Sequence, residues 1–202
     1  VPLFRDYSHY VNWVENQLKT GEMINERHLW TSVRPNGPRR PYELNRLELR
    51  ICDLITNPAM LLALTALLEL RVLSLLEEPD RLDPLKVSHL SSNELAHLCD
   101  NNDQAAARNS LEASLCHWSN GRPILCRQWI GDLLKEVTPL AKDLSLLSQL
   151  SPLYALLEDG NQAIKWIEGY SSGLSIETLL KEGIETMRKE EIQNVEKEAI
   201  FR

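Results

Sequence analysis

Hydrophobic and polar positions change period along this 202-residue chain. Between Tyr7 and Thr20, the residues Tyr10, Val11, Trp13, Val14 and Leu18 recur at helical spacing, and Gly21 offers a stop, so the pattern predicts a helix. From Leu29 to Val33 and from Leu44 to Cys52 the pattern becomes extended, which predicts two strands. The RPNGPRRP between them holds too much proline and glycine for helix or strand and predicts a loop. Asn57 then supplies an N-cap and Pro58 a first-turn proline for AMLLALTALLELRVLSLLEE. Apolar residues run all the way round that helix, which predicts burial among neighbours. Glu69 and Arg71 interrupt the run short of the ~20 residues a bilayer requires, which argues against a membrane span.

Beyond Pro84 the pattern predicts a succession of shorter helices. SSNELAHLCD places Ser91 and Glu94 in capping-box relation, and the alanine-rich DQAAARNSLEASLCHW reads as helical throughout. GRPILC reads as a short extended piece. In RQWIGDLLKEVTPLAKDLSLL, Trp129, Ile130, Leu133, Leu134 and Val137 share a face, with Pro139 as a kink or break. Helical segments near 152 to 169 and 175 to 195 complete the chain, the last carrying mixed charge along a solvated helix.

A hydrophobic content of 43% suits one core, or one core with a helical appendage. The net charge of −7 repels a phosphate backbone, and Arg39, Arg40 and Arg46 form the one short basic patch, so nucleic acid is not the expected partner. Cys52, Cys99, Cys116 and Cys126 lack CxxC spacing, which suits reduced thiols in a cytoplasmic protein. His89, His97 and Cys99 lack the spacing of a structural zinc site. Cys116 and His117 are helix neighbours about 100° apart on the expected helix, so they form no local dyad. The tryptophans at 13, 30, 118, 129 and 166 fall mostly at core-facing positions, and no glycine-rich phosphate loop is present. The chain begins at Val1 without an initiator Met and reads as part of a longer protein; its oligomeric state is left open.

The strand RLELRIC is the stretch with candidate chemistry. Alternation puts Leu47, Leu49 and Ile51 on one face and Arg46, Glu48, Arg50 and Cys52 on the other. Polar strand faces are commonly just solvated. A carboxylate flanked by guanidiniums is also what a site needs to hold a metal ion together with phosphate or carboxylate groups. Ser32 and Arg34 share a face on the preceding strand and add a cation there if the strands pair.

RLELRICDLITNPAMLLALTALLEL resembles the carboxyl-terminal sheet strand and following helix of the glutamine synthetase superfamily, in which an R-(I/L)-E-x-R strand precedes an acidic residue, Asn-Pro and a long apolar helix. WTSVRP resembles the strand that delivers a phosphate-binding arginine there. QAAARNSLEASL, GRPILCRQWIGDLLKEVTPLAKDL and ALLEDGNQAIKWI are similar to the helical tail of the carboxylate-amine ligase branch, which contains the glutamate-cysteine ligases, most of all the cyanobacterial type. The resemblance runs from about Trp30 to about Leu180 and rests on the order of the motifs.

That resemblance implies an α+β, glutamine synthetase-like fold. Residues 1–56 would supply a leading helix and a two-stranded antiparallel edge of the catalytic sheet, and residues 57–202 a helical region packing on it. It implies ATP-dependent formation of γ-glutamylcysteine from L-glutamate and L-cysteine, the first step of glutathione synthesis, through an acyl phosphate. By position in the motif, Glu48 would be a magnesium (Mg²⁺) ligand. Arg50 would stabilise the transferring phosphoryl group or bind the glutamate carboxylate, Arg34 would contact phosphate, and Arg46 would add a further cation for substrate or phosphate. Arg108 matches a recurrent arginine of the tail. The family's other metal-binding carboxylates come from strands nearer its amino terminus, and this chain has no acidic strand before Trp30, so it resembles a carboxyl-terminal half. Two other readings stand beside this one: another ATP-dependent carboxylate-amine ligase, or a non-catalytic helical interaction domain whose strand charges are simply solvated.

Overall fold

The helix Tyr7–Thr20 (α1) starts where the Asp6 carboxylate accepts a hydrogen bond from the His9 backbone N–H at 2.7 Å. It ends at Gly21, whose φ of 80° is the left-handed conformation a helix C-terminus favours and glycine adopts without strain. A computed structural model describes residues 2–25, 33–35, 47–49 and 55–200, and for 33–35, 47, 49 and 190–200 the backbone only. The chain divides into two compact units, 1–54 and 55–202.

In the first unit, α1 buries Tyr10 and Val14 with Met23, and Phe4, Val11, Trp13 and Leu18 pack around them. Phe4 meets Tyr10 and Trp13 edge-on at 5.2 and 5.6 Å, a geometry aromatic quadrupoles prefer. The strands Val33–Pro35 (β1) and Leu47–Leu49 (β2) pair antiparallel. β1 runs on into Pro35, which the proline-rich pattern assigned to a loop; a proline is tolerated at a strand end because it need not donate to the ladder. The rest of both expected strands, and the loop between them, lies outside the described residues.

The second unit runs α2 (Pro58–Glu77), α3 (Pro79–Leu82), α4 (Pro84–Val87), α5 (Ser92–Asn109), a 3₁₀ turn Ser110–Glu112, β3 (Ser114–Cys116), β4 (Pro123–Leu125), α6 (Cys126–Asp143), a 3₁₀ turn Leu147–Leu150, α7 (Ser151–Asp159), α8 (Gln162–Ser171) and α9 (Ile176–Ile200). Asn57 caps α2 as its sequence predicts, accepting from the Met60 N–H at 2.9 Å. Ala63, Ala66 and Leu70 of α2 pack with Leu134, Val137 and Ala141 of α6 and with Leu150 and Leu153, forming the main described core. Arg71 of α2 reaches Glu136 of α6 at 2.9 Å.

The all-round burial expected of α2 is not what the structure has. Its small residues, Ala63 and Ala66, let neighbours approach on one side, while Leu61, Leu62, Leu68, Val72, Leu75 and Leu76 are exposed, Leu76 at 71%. Nor do Glu69 and Arg71 interrupt it, because both lie within one continuous helix. By length and composition alone α2 is long and apolar enough to cross a membrane.

Further expectations are corrected. SSNELAHLCD and DQAAA form one helix, α5, opened by the Ser91–Glu94 capping box, and that helix stops at Asn109 instead of continuing through SLC. Ser114–Cys116 is a strand, paired antiparallel with Pro123–Leu125, so a second hairpin exists that the helical pattern hid. The segment 152–169 is likewise split at Gly160, with Asn161 recapping α8 through the Ile164 N–H at 3.0 Å. Pro139 does not break α6, which runs through it to Asp143; one missing N–H near the end of a well-packed helix is tolerated.

Candidate active site

The β1–β2 register sets Arg34 directly across from Glu48, flanked by Val33 opposite Leu49 and Pro35 opposite Leu47. Directly opposed positions of an antiparallel pair share a sheet face, with β-carbons roughly 4.5–5.5 Å apart. The expectation that Arg34 joins the Glu48 face if the strands pair is therefore met in the backbone. Glu48 is exposed. Arg46 and Arg50, the other two candidate cations, lie outside the described residues, as do Ser32, Arg39, Arg40 and Cys52.

An opposed carboxylate and guanidinium on one strand face can do two things. As a bare cross-strand pair they contribute a few tenths of a kcal/mol, up to about 1 kcal/mol. As a site, the carboxylate offers an oxygen ligand to a hard cation while the guanidinium offers a planar donor fork to phosphate or carboxylate. Magnesium is commonly bound through one or two carboxylates plus substrate phosphates and water, so the donor set on this face fits that ion. Among the described residues no group of three or more His, Cys, Asp or Glu side chains gathers to hold a metal ion, and His89, His97 and Cys99 form no such cluster.

The helical unit treats its other candidate groups structurally. Arg108 sits exposed in the last turn of α5, where a cation complements the helix dipole. Cys116 and His117 do not stand together on a helix as expected. Cys116 belongs to β3, and the His117 ring stacks on Trp118 at 5.4 Å, approaches Trp129 at 4.9 Å and bonds Ser119 Oγ through Nδ1 at 2.7 Å. Burial, followed by the nearby Asp103 and Asp100, pushes the Cys99 thiol above its ordinary pKa, and burial does the same to Cys126. Raised thiols are poor nucleophiles at neutral pH. The residue that sequence pattern overlooked is Asn102: its side-chain amide donates to the Cys116 carbonyl and its carbonyl accepts from the Cys116 N–H, both at 2.8 Å. An asparagine inside a helix gives no local sign of a strand 14 residues further on.

Comparison with known proteins extends these observations. The family model described as glutamate-cysteine ligase family 2 matches residues 1–198. The chain is 25% identical over 179 residues to a protein of Gloeobacter violaceus, covering 89% of this chain and 45% of that one. It is 26% identical over 181 residues to a protein of Sorangium cellulosum, covering 89% and 45%. It is 28% identical over 149 residues to a protein of Rubrobacter xylanophilus, covering 74% and 36%. All three carry provisional names as glutamate-cysteine ligases. The chain spans less than half the length of each of these relatives.

Proposed function

The chain belongs to glutamate-cysteine ligase family 2, and we propose that it contributes to an ATP-dependent ligase joining the γ-carboxyl of L-glutamate to the amine of L-cysteine. ATP supplies the phosphoryl group that converts the γ-carboxylate to an acyl phosphate; the amine then displaces phosphate, leaving γ-glutamylcysteine, ADP and inorganic phosphate. The observation that carries this reading is the register of Arg34 against Glu48 on one strand-pair face, in a chain whose family model spans nearly all of it. The roles follow from charge. Glu48 would hold Mg²⁺ beside the ATP phosphates. Arg34 and Arg50 would bind phosphate oxygens or the glutamate carboxylate, countering charge that grows in the transition state, and Arg46 would add a cation at the edge of the same face. The ligands needed to complete this centre would come from the catalytic sheet outside this chain, of which residues 1–56 would form an edge. Free thiols at Cys99, Cys116 and Cys126 favour a reducing cytoplasmic setting.

The intact protein, given ATP, magnesium, glutamate and a panel of amines, should release phosphate fastest with cysteine. Glu48→Gln should lower that turnover by orders of magnitude with the melting temperature unchanged. Arg34→Ala and Arg50→Ala should each raise the barrier by about 3 kcal/mol. A loss of stability without a loss of rate in these variants would make the charges a structural ion-pair ladder and sink the proposal. Preference for another amine would keep the reaction class and change the acceptor.

A further inference from the structure

The carboxyl-terminal helix α9, which touches α8 and α2, carries an apolar stripe that stays about half exposed in the described structure. Ile176, Leu180, Ile184 and Met187 are exposed at 64%, 51%, 47% and 41%, where an ordinary solvated helix would place polar groups. At about 100° per residue these four fall within an arc of roughly 80°. α8 lies along a different side of α9. A β-carbon added at its Gly169 would stand 2.6 Å from Leu179 Cδ2, so Leu179 packs against α8, and Leu179 projects about 100° from the centre of the stripe. Gly183 borders the stripe, and a β-carbon there would meet nothing within 4 Å. Glu177 and Arg188 flank the stripe on one edge, about a quarter-turn or less from its centre.

We infer that this face docks a second copy of the same chain, α9 against α9, antiparallel about a two-fold axis between Glu182 and Gly183. The spacing along the helix suits that axis. Measured from it in order of distance, Ile184, Leu180, Met187 and Ile176 lie 1.5 residues after, 2.5 before, 4.5 after and 6.5 before, so the two stripes interleave without two side chains meeting at one level. Gly183 beside the axis removes the side chain that would hold the backbones apart. Charge selects the direction. The same axis sets Glu177 level with the partner's Arg188, and Arg188 level with the partner's Glu177, whereas a parallel pair would oppose like charges at both places. The interface is isologous, so one helix supplies both halves of each contact. A single helix pair of this length stands at the low end of specific interfaces, which gives a dissociation constant on the order of micromolar. This inference is independent of the ligase reading.

The test is sedimentation of the 202-residue chain from about 1 to about 100 µM, across which a micromolar dimer passes from mostly dissociated to mostly associated. Leu180→Glu and Ile184→Lys, both at exposed positions, should give monomers at every concentration with the helical circular dichroism of the parent chain. Glu177→Arg and Arg188→Glu should each weaken association about tenfold, and the charge-swapped double variant should recover to within about threefold of the parent. That recovery separates the proposed pairing from non-specific sticking and from the Glu177–Lys181 ion pair within the helix, which the swap does not restore. A parent chain that stays monomeric overturns the inference. So does a dimer indifferent to Leu180→Glu, or a double variant no better than the single ones.

Discussion

Ser110 sits at φ 51° and ψ −129°, between the end of α5 and the turn that leads into β3. A side chain in such a sparsely populated backbone region costs on the order of 1–3 kcal/mol, most of which glycine escapes. Its hydroxyl is bound by the Asn161 amide, which donates to Ser110 Oγ at 2.7 Å and so joins the start of α8 to the end of α5. Two opposed effects of similar size meet at one residue, and substitution separates them. Ser110→Ala keeps the strain and loses the hydrogen bond, costing about 1 kcal/mol. Ser110→Gly loses the bond but relieves the strain, and should be more stable than Ser110→Ala by roughly 1–2 kcal/mol in chemical denaturation. Equal stability of the two variants would show that the backbone there carries no strain. The sequence gives no sign of this conformation, because its hydrogen-bond partner is 51 residues away. Ser91 and Glu94 were legible for the opposite reason: the Glu94 carboxylate accepts from the Ser91 N–H and the Ser91 hydroxyl accepts from the Glu94 N–H, all within one turn. The Ser91 hydroxyl, which donates to the same carboxylate at 2.7 Å, followed by the Ser91 N–H, holds the Glu94 carboxyl below its ordinary pKa.

At the scale of elements, local signals located helix starts better than helix ends. Asp6, Asn57 and Ser91 each cap a helix by accepting from an N–H three residues on, and such caps can be read along the chain. The end of α5 depends on contact across the fold. Alanines 105 to 107 favour continuing the helix, yet Asn102 closes a two-bond clamp on the Cys116 backbone that holds β3 against α5. The hairpin then completes itself, with the His117 N–H donating to the Arg122 carbonyl at 2.8 Å. Asn102→Ala leaves the Cys116 N–H and C=O without that partner in a half-buried place, and should destabilise the second unit by about 2 kcal/mol. Trp118 and Trp129, both against His117, make intrinsic fluorescence the natural probe of that transition. A variant within experimental error of the parent would mean the hairpin is held by its apolar contacts, chiefly the buried Leu115. The apolar run of α2 misled in a different way. Composition reports how much of a helix is greasy, and only the arrangement of α6 and α7 decides how much is covered.

For the whole molecule, the two compact units differ in how much each can support alone. The second contains the main described core, in which Leu70, Leu134, Val137, Leu150 and Leu153 are all but fully buried. The first has the small cluster of Tyr10, Val14 and Met23, and with it the strand pair that carries Arg34 and Glu48. The existence of that pair was legible from alternation along RLELRIC and from the resemblance; how far it extends, and how Arg46 and Arg50 stand on it, falls outside the described residues. Catalysis by the proposed ligase requires ATP, two substrates and metal to be positioned together, with acidic ligands from several strands. The described hairpin contributes Glu48 alone to that set. Folding and activity should therefore separate. Residues 55–202, expressed alone, should show helical circular dichroism and a cooperative unfolding transition, and Leu134→Ala should cost them about 3–5 kcal/mol, as in the longer chain. Residues 1–202 at saturating ATP and magnesium should form no γ-glutamylcysteine. Turnover near that of a complete ligase in those 202 residues would refute the requirement for further strands, while a non-cooperative melt of 55–202 would show that the helical core depends on the unit before it.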